Sequence, residues 1–111
     1  MKRAVIQAIT ATMALTASMY TPMVNAGVHC TEKIRSAILH ENGEVYFETD
    51  NTCNGAWCQV AWGTSERKKN ALAMLLSAKL AERPVTFYWP TLNACSEKNV
   101  VYASPGYMVL Y

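Results

Sequence analysis

Four cysteines carry the most distinctive chemistry in this sequence: Cys30, Cys53, Cys58 and Cys95. Cysteine pairs in proteins serve redox exchange, metal binding or structural cross-linking. The four-residue gap between Cys53 and Cys58 differs from the two-residue gap of thioredoxin-like redox sites, and no helix begins directly after it to activate a thiol. The two histidines, His29 and His40, show no metal-ligand spacing. The pattern therefore predicts two structural disulfides, with no metal site and no cofactor.

Four cysteines allow three pairings, and their expected places in the fold favour one of them. Cys53 and Cys95 are both expected in loops, one before the third strand and one after the fourth. Cys30 and Cys58 are each expected at the start of a strand. We predict the disulfides Cys53–Cys95 and Cys30–Cys58.

Two carboxylates, Glu48 and Asp50, fall on the same face of an expected strand, where an acid and base pair for hydrolysis is geometrically feasible. A solvated strand face explains the same pattern more simply. No serine lies in a nucleophile motif. We predict no catalytic residue and no enzymatic activity.

Aromatic residues are more abundant than a small core requires. Alternation along the strands places Tyr46 and Tyr88 on outer faces, and Trp57 precedes another strand. Exposed aromatic rings stack on sugars and anchor protein interfaces, although they also serve simply to cover the ends of a barrel. The predicted binding residues are Tyr46, Trp57 and Tyr88, together with Asn51 and Asn54 of a polar loop.

The first residues indicate export. Lys2 and Arg3 precede an uncharged, mostly apolar stretch, and Val24-Asn25-Ala26 offers small residues where a signal peptidase cleaves. We predict a signal peptide over residues 1–26 and one domain over residues 27–111, located in the periplasm or secreted. No later segment is apolar enough to span a membrane.

The predicted mature chain is electrically balanced. Lys2 and Arg3 are the only charged residues of the signal peptide, so eight basic and eight acidic residues remain. A balanced surface without a basic patch argues against nucleic acid as a partner.

The secondary-structure pattern predicts three strands, one helix and then further strands. Asn42-Gly43 is a hairpin signal, Thr64 or Ser65 is suited to cap the helix, and Pro84 ends it. The expected strands cover residues 31–39, 44–49, 57–62 and 85–89, the helix covers residues 66–82, and strand material follows at 99–103 and 106–110.

This order is that of an all-β, five-stranded OB-fold-like barrel with one helix between strands 3 and 4. The alternative is an open α+β sheet with the helix on one face. The helix from Ser65 to Arg83 also carries apolar stripes on two sides, with Leu72, Leu76 and Leu80 forming one of them. A helix of this kind predicts a contact with a second copy, and hence a homo-oligomer.

Two stretches resemble known proteins. The run "VYFETDNTC", then "ALAMLLSAKLAERPVTFYW" and Cys95, resembles small exported proteins of Gram-negative bacteria. The stretch "WGTSERKKNALAMLLSAKLAERPVTFYW" resembles the strand-helix-strand segment in B subunits of subtilase-type and pertussis-like toxins. The second resemblance implies an OB-fold, a pentamer and binding of cell-surface glycans, with no binding residue carried over to this chain.

Together these features predict an exported, non-catalytic binding module for a glycan or cell-surface receptor. The alternative is a periplasmic structural or inhibitory domain that binds another protein.

Overall fold

The computed structural model describes residues 26–111, so the predicted signal peptide lies outside the described residues except for Ala26. The described chain is mostly β, with two three-stranded antiparallel sheets and one helix. One sheet has the order β1–β5–β6 and the other β2–β3–β4. The elements are β1 (Val28–Glu32), β2 (Ile34–Leu39), β3 (Val45–Thr49), β4 (Cys58–Val60), α1 (Ser65–Leu80), β5 (Val85–Trp89) and β6 (Tyr107–Val109).

Alternating side chains on β3 and β5 build the core between the two sheets. Every second residue of each strand is buried, as period-2 patterning predicts. Phe47 of β3 stacks on Phe87 of β5, with ring centroids 5.3 Å apart, and Phe87 stacks on Trp89 at 5.4 Å. All three rings are fully buried. These aromatic contacts hold the two sheets together, and the intervening residues Tyr46 and Glu48 point outward.

The single strand expected over residues 31–39 is wrong in one respect, because the chain divides there between the two sheets. β1 pairs with β5, whereas β2 pairs with β3. At the junction Lys33 N–H donates to Asp50 Oδ1 at 3.1 Å, and Asp50 N–H donates to the Lys33 carbonyl at 3.0 Å. A register shift between Ile34 and Ser36 then changes which residues face inward.

The strand expected at residues 99–103 is also wrong, and the described residues form six strands and no closed barrel. Asn99 turns inward, donating its N–H to the Thr52 carbonyl at 2.8 Å, and Tyr102 has a positive φ of 66°. Both features interrupt an extended strand. The segment nevertheless meets β4, since Tyr102 N–H donates to the Trp57 carbonyl and Gln59 N–H to the Ala103 carbonyl at 2.9 Å.

Two disulfides are present, consistent with an exported protein, but the predicted pairings Cys53–Cys95 and Cys30–Cys58 are wrong. Cys30 pairs with Cys95, because β1 lies beside β5 and the loop after β5 returns to β1. Cys53 pairs with Cys58, because the turn between β3 and β4 folds back so that Thr49 N–H donates to the Cys53 carbonyl.

Helix α1 begins where the sequence predicts and ends slightly earlier. Arg67 N–H donates to the side chain of Thr64, which is therefore the N-cap. The inward face buries Ala71, Leu75 and Ala78. In the described part of the chain, no helix is both long and apolar enough to cross a membrane.

An ion pair ties the helix to the sheet. Lys68 Nζ lies 2.6 Å from Glu44 Oε1. The hydrogen bond from Lys68, helped by one from Gln59, lowers the pKa of Glu44 below its ordinary value, against the opposing effect of burial. Because the pKa is lower in the folded state, this contribution to stability is present above the ordinary pKa of glutamate. It disappears as the pH falls through the lowered value.

The end of α1 provides a first prediction. Arg83 N–H donates to the Ala78 carbonyl and Glu82 N–H to the Lys79 carbonyl, the two bonds of a Schellman motif. Glu82 occupies the position of this motif that requires a left-handed backbone conformation, with a φ of 56°, and glycine is favoured at such positions. We expect Glu82→Gly to raise the free energy of unfolding by about 1 kcal/mol in urea titrations. Glu82→Ala, which removes the charge but keeps the Cβ, is the control and should not stabilise; equal stability of the two variants would contradict the prediction.

Candidate functional site

An aromatic pocket lies on the outer face of the β2–β3–β4 sheet. Its volume is about 200 Å³. We call it the aromatic pocket; its lining residues are Ile38, His40, Tyr46, Trp57 and Tyr102.

Strand register and one loop bring these side chains together. Ile38 lies opposite Tyr46 on the neighbouring strand. The Tyr46 ring packs at 5.5 Å from the Tyr102 ring and meets His40 edge-on at 6.3 Å. The bond from Tyr102 N–H to the Trp57 carbonyl fixes the loop against the start of β4. The pocket is therefore assembled from strands β2 and β3, the residues just after β2 and just before β4, and the segment before β6.

Tyr102 is held in a conformation that tyrosine rarely adopts. Ala103 N–H donates to the Val100 carbonyl at 3.2 Å, closing a turn whose third residue is Tyr102, with φ 66°. Turns of this kind favour glycine at that position. A bulky side chain there costs of order 1 kcal/mol, and such strain concentrates at functional sites. Since the Tyr102 side chain is 57% exposed, burial does not explain its presence.

The pocket offers hydrogen-bond donors that find no acceptor among residues 26–111. The indole N–H of Trp62 donates to the Pro105 carbonyl, and that of Trp89 donates to Glu32. Trp57, by contrast, has no acceptor for its indole N–H among residues 26–111. His40 Nδ1 accepts from Asn42 N–H, so the neutral ring carries its proton on Nε2. An apolar cleft with a few unused polar groups is typical of a ligand site.

A polar strip adjoins the aromatic pocket on the same sheet. We define it as Arg35, Ser36, Glu48, Asn54 and Gly55. Glu48 accepts from Ser36 Oγ at 3.2 Å and from Gly55 N–H at 3.3 Å. Arg35 donates to Asn54 Oδ1. Because Glu48 follows Tyr46 by two residues on one strand face, the strip and the pocket form one continuous surface.

The structure brings together three of the five predicted binding residues. Tyr46 and Trp57 line the aromatic pocket, and Asn54 lies in the polar strip. Asn51 is engaged elsewhere, donating its amide to the Cys95 carbonyl at 2.9 Å. Tyr88 lies on the other sheet, stacked on Tyr107 at 5.2 Å.

Tyr88 fills a tight structural position. A Cβ at Gly106 would lie 2.8 Å from its ring, and one at Gly27 would lie 2.7 Å from it. A larger residue at either glycine would therefore clash with the Tyr88 side chain. This contact gives Tyr88 a packing role on the β1–β5–β6 sheet.

Three pocket residues, Ile38, His40 and Tyr102, were absent from the predicted site. The run "VVY" at residues 100–102 has strong strand propensity, which concealed the turn that carries Tyr102. The position of His40 could have indicated a place in the site. It immediately precedes the hairpin turn, and a residue beside a turn can reach the outer face of the adjoining sheet.

The two carboxylates considered for hydrolysis have separate partners. Glu48 belongs to the polar strip, whereas exposed Asp50 accepts from Lys33 N–H. Among residues 26–111 no group of three or more histidine, cysteine, aspartate or glutamate side chains is placed to hold a metal ion.

No protein-family model, curated protein or solved structure matches this chain. The resemblance to toxin B subunits therefore stays a prediction. The geometry of the aromatic pocket and the polar strip is what supports a function.

Proposed function

We propose that this protein is an exported, non-catalytic binding domain whose aromatic pocket holds a sugar ring of a cell-surface glycan. The observation that carries the proposal is the convergence of Tyr46, Trp57 and Tyr102 around one cleft. The C–H face of a sugar packs on such rings, while its hydroxyl oxygens accept from the unused donors of Trp57 and His40.

The charge of the site supports a glycan over a nucleic acid. Among residues 26–111, no lysine or arginine lines the aromatic pocket. Nucleic-acid sites of similar aromatic character combine their rings with a strongly basic groove that follows the phosphates. A neutral polyol needs no such groove.

We further propose that the two sheets are an opened form of an OB-like barrel. In this interpretation β1 and β2 together are its first strand, β3 and β4 its second and third, and β5 and β6 its last two. The hydrogen bonds joining residues 57–59 to residues 102–103 support it. OB-folds bind oligosaccharides on the face of their second and third strands, between the first and fourth interstrand loops. Tyr46 lies on that face, and His40 and Tyr102 lie in those loops.

The test is glycan binding by the folded mature domain. We expect the wild-type protein to bind on a glycan array, and Trp57→Ala to weaken the binding at least tenfold, as loss of an aromatic anchor does. Tyr46→Ala should act in the same direction. Tyr111→Ala removes an aromatic ring that is 80% exposed outside the pocket, and it should bind like the wild type. A folded wild-type protein that binds no glycan would disprove the proposal.

A second candidate function uses the helix. Leu80 is 85% exposed and Leu76 is 43% exposed on the outer side of α1. This apolar surface favours a protein partner or a second copy of the chain, the homo-oligomer expected of the helix from Ser65 to Arg83. Leu80 lies outside the aromatic pocket, so Leu80→Lys distinguishes the two candidates: it leaves glycan binding intact and disrupts only a helix-mediated contact.

A further inference from the structure

We infer that Glu48 determines the specificity of this site, and that it selects a neutral hexose with two adjacent free hydroxyl groups. The inference rests on the proposed function, because the sugar must first pack in the aromatic pocket. It adds the class of sugar and the residue that recognises it.

The position of Glu48 fits this role. It lies two residues beyond Tyr46 on the same face of β3, a spacing of about 7 Å along the strand. A sugar ring packed on Tyr46 therefore extends toward the carboxylate. Glu48 is only partly buried, so its free side is accessible to such a ligand.

The carboxylate of Glu48 is oriented but not saturated. Its Oε1 accepts from Ser36 Oγ and its Oε2 from Gly55 N–H, and these two bonds fix its plane. A carboxylate has about four acceptor positions, so about one on each oxygen stays open. Two hydroxyls on neighbouring ring carbons can donate to the two oxygens at once. Such charge-assisted bonds are stronger than those between neutral groups.

The charge of Glu48 disfavours acidic sugars. Within residues 26–111 the one ion pair joins Lys68 to Glu44, so no protein cation pairs with Glu48. The basic residue of the polar strip, Arg35, donates to Asn54 Oδ1. A sialic acid or a sulfated sugar would bring a second negative charge to this surface, at an electrostatic cost.

The same carboxylate distinguishes a sugar from a proline-rich peptide. Proline rings also dock on grooves of tyrosine and tryptophan, and tryptophan N–H groups donate to their carbonyls. Proline has no N–H, however, and cannot donate to Glu48. The open acceptor positions therefore need a ligand rich in hydroxyl donors.

The experiment titrates the mature domain with methyl β-galactopyranoside, methyl β-glucopyranoside and the methyl glycoside of N-acetylneuraminic acid. We expect a neutral hexoside to bind and the sialoside to bind at least tenfold more weakly. Glu48→Gln should weaken binding of the neutral hexoside about tenfold, the effect of losing charge-assisted hydrogen bonds. Asp50→Asn removes a nearby charge outside the site and should leave affinity unchanged.

A ligand-side measurement keeps the inference testable if Glu48→Gln does not fold. Deoxy derivatives that lack either one of the two adjacent hydroxyls should each bind the wild-type protein more weakly. Preference for the sialoside, or unchanged affinity in Glu48→Gln, would overturn the inference while leaving glycan binding in place. Binding of a polyproline peptide without any sugar would overturn both this inference and the proposed function.

Discussion

Replacement of Glu32 by alanine is expected to lower the free energy of unfolding by about 4 kcal/mol, because several buried donors would lose their acceptor at once. Glu32 is only 2% exposed, although it carries a carboxylate. A loss of this size would remove a large part of the stability of a domain with so few residues.

The hydrogen bonds of Glu32 join three parts of the fold. Its Oε1 accepts from Thr49 Oγ1 and from Thr52 N–H, both at 2.6 Å, and its Oε2 accepts from the indole of Trp89 at 3.1 Å. These donors come from the end of β3, the following turn and β5. Thr52 Oγ1 also lies within hydrogen-bonding distance of both carboxylate oxygens and accepts from Asn99 Nδ2 at 3.0 Å. Glu32 thus links the two sheets and the loop that leads to Tyr102.

Urea titration monitored by tryptophan fluorescence measures this effect. Glu32→Gln keeps the shape but places an N–H₂ group against donors, so we expect an intermediate loss of about 2 kcal/mol. Glu41→Ala changes an exposed glutamate in the hairpin turn and should stay within about 0.5 kcal/mol of the wild type. If Glu32→Ala were as stable as Glu41→Ala, the buried network would contribute nothing to stability.

The parts of the fold set by local pattern could be predicted from the sequence. Alternation placed Tyr46 outward and Phe47 inward, and helix-forming residues between Thr64 and Pro84 placed α1. Glu32 and the disulfides depend instead on which distant segments become neighbours. Nothing near Glu32 in the sequence indicates its burial, because its donors lie 17 to 57 residues further along the chain. No local periodicity encodes such contacts.

The candidate site divides in the same way. Tyr46 was predicted because the alternation along its strand places its side chain on the outer face. Trp57 was predicted because it lies just before the next strand. Tyr102 was not, because its place depends on a left-handed backbone conformation in a segment with strong strand propensity. Tertiary hydrogen bonds to β4 overrode that propensity. Glu48 was recognised as a carboxylate on an outer face, but its bonds to Ser36 and Gly55 follow from strand register and turn geometry.

Removal of the Cys30–Cys95 disulfide is expected to lower the free energy of unfolding by about 4 kcal/mol, and removal of Cys53–Cys58 to lower it by about 2 kcal/mol. The two bridges differ mainly in the length of chain they close, with sequence separations of 65 and 5 residues. A longer closed loop removes more conformational freedom from the unfolded chain, although the dependence is only logarithmic. The paired variants Cys30→Ala/Cys95→Ala and Cys53→Ala/Cys58→Ala are each other's matched controls.

Loss of the Cys30–Cys95 disulfide should also weaken ligand binding more than loss of Cys53–Cys58, because Cys30–Cys95 helps to position part of the aromatic pocket. Cys95 anchors the loop after β5 to β1, and this loop continues to the turn that presents Tyr102. At a temperature where both paired variants remain folded, we expect weaker binding of the neutral hexoside by the variant that lacks Cys30–Cys95. Urea titration gives the stabilities, and calorimetric titration gives the affinities. Equal losses of stability in the two variants would show that the length of the closed loop does not determine how much each disulfide stabilises the fold. Native-state packing around the buried Cys53 and Cys58 would then account for the larger than expected contribution of their disulfide.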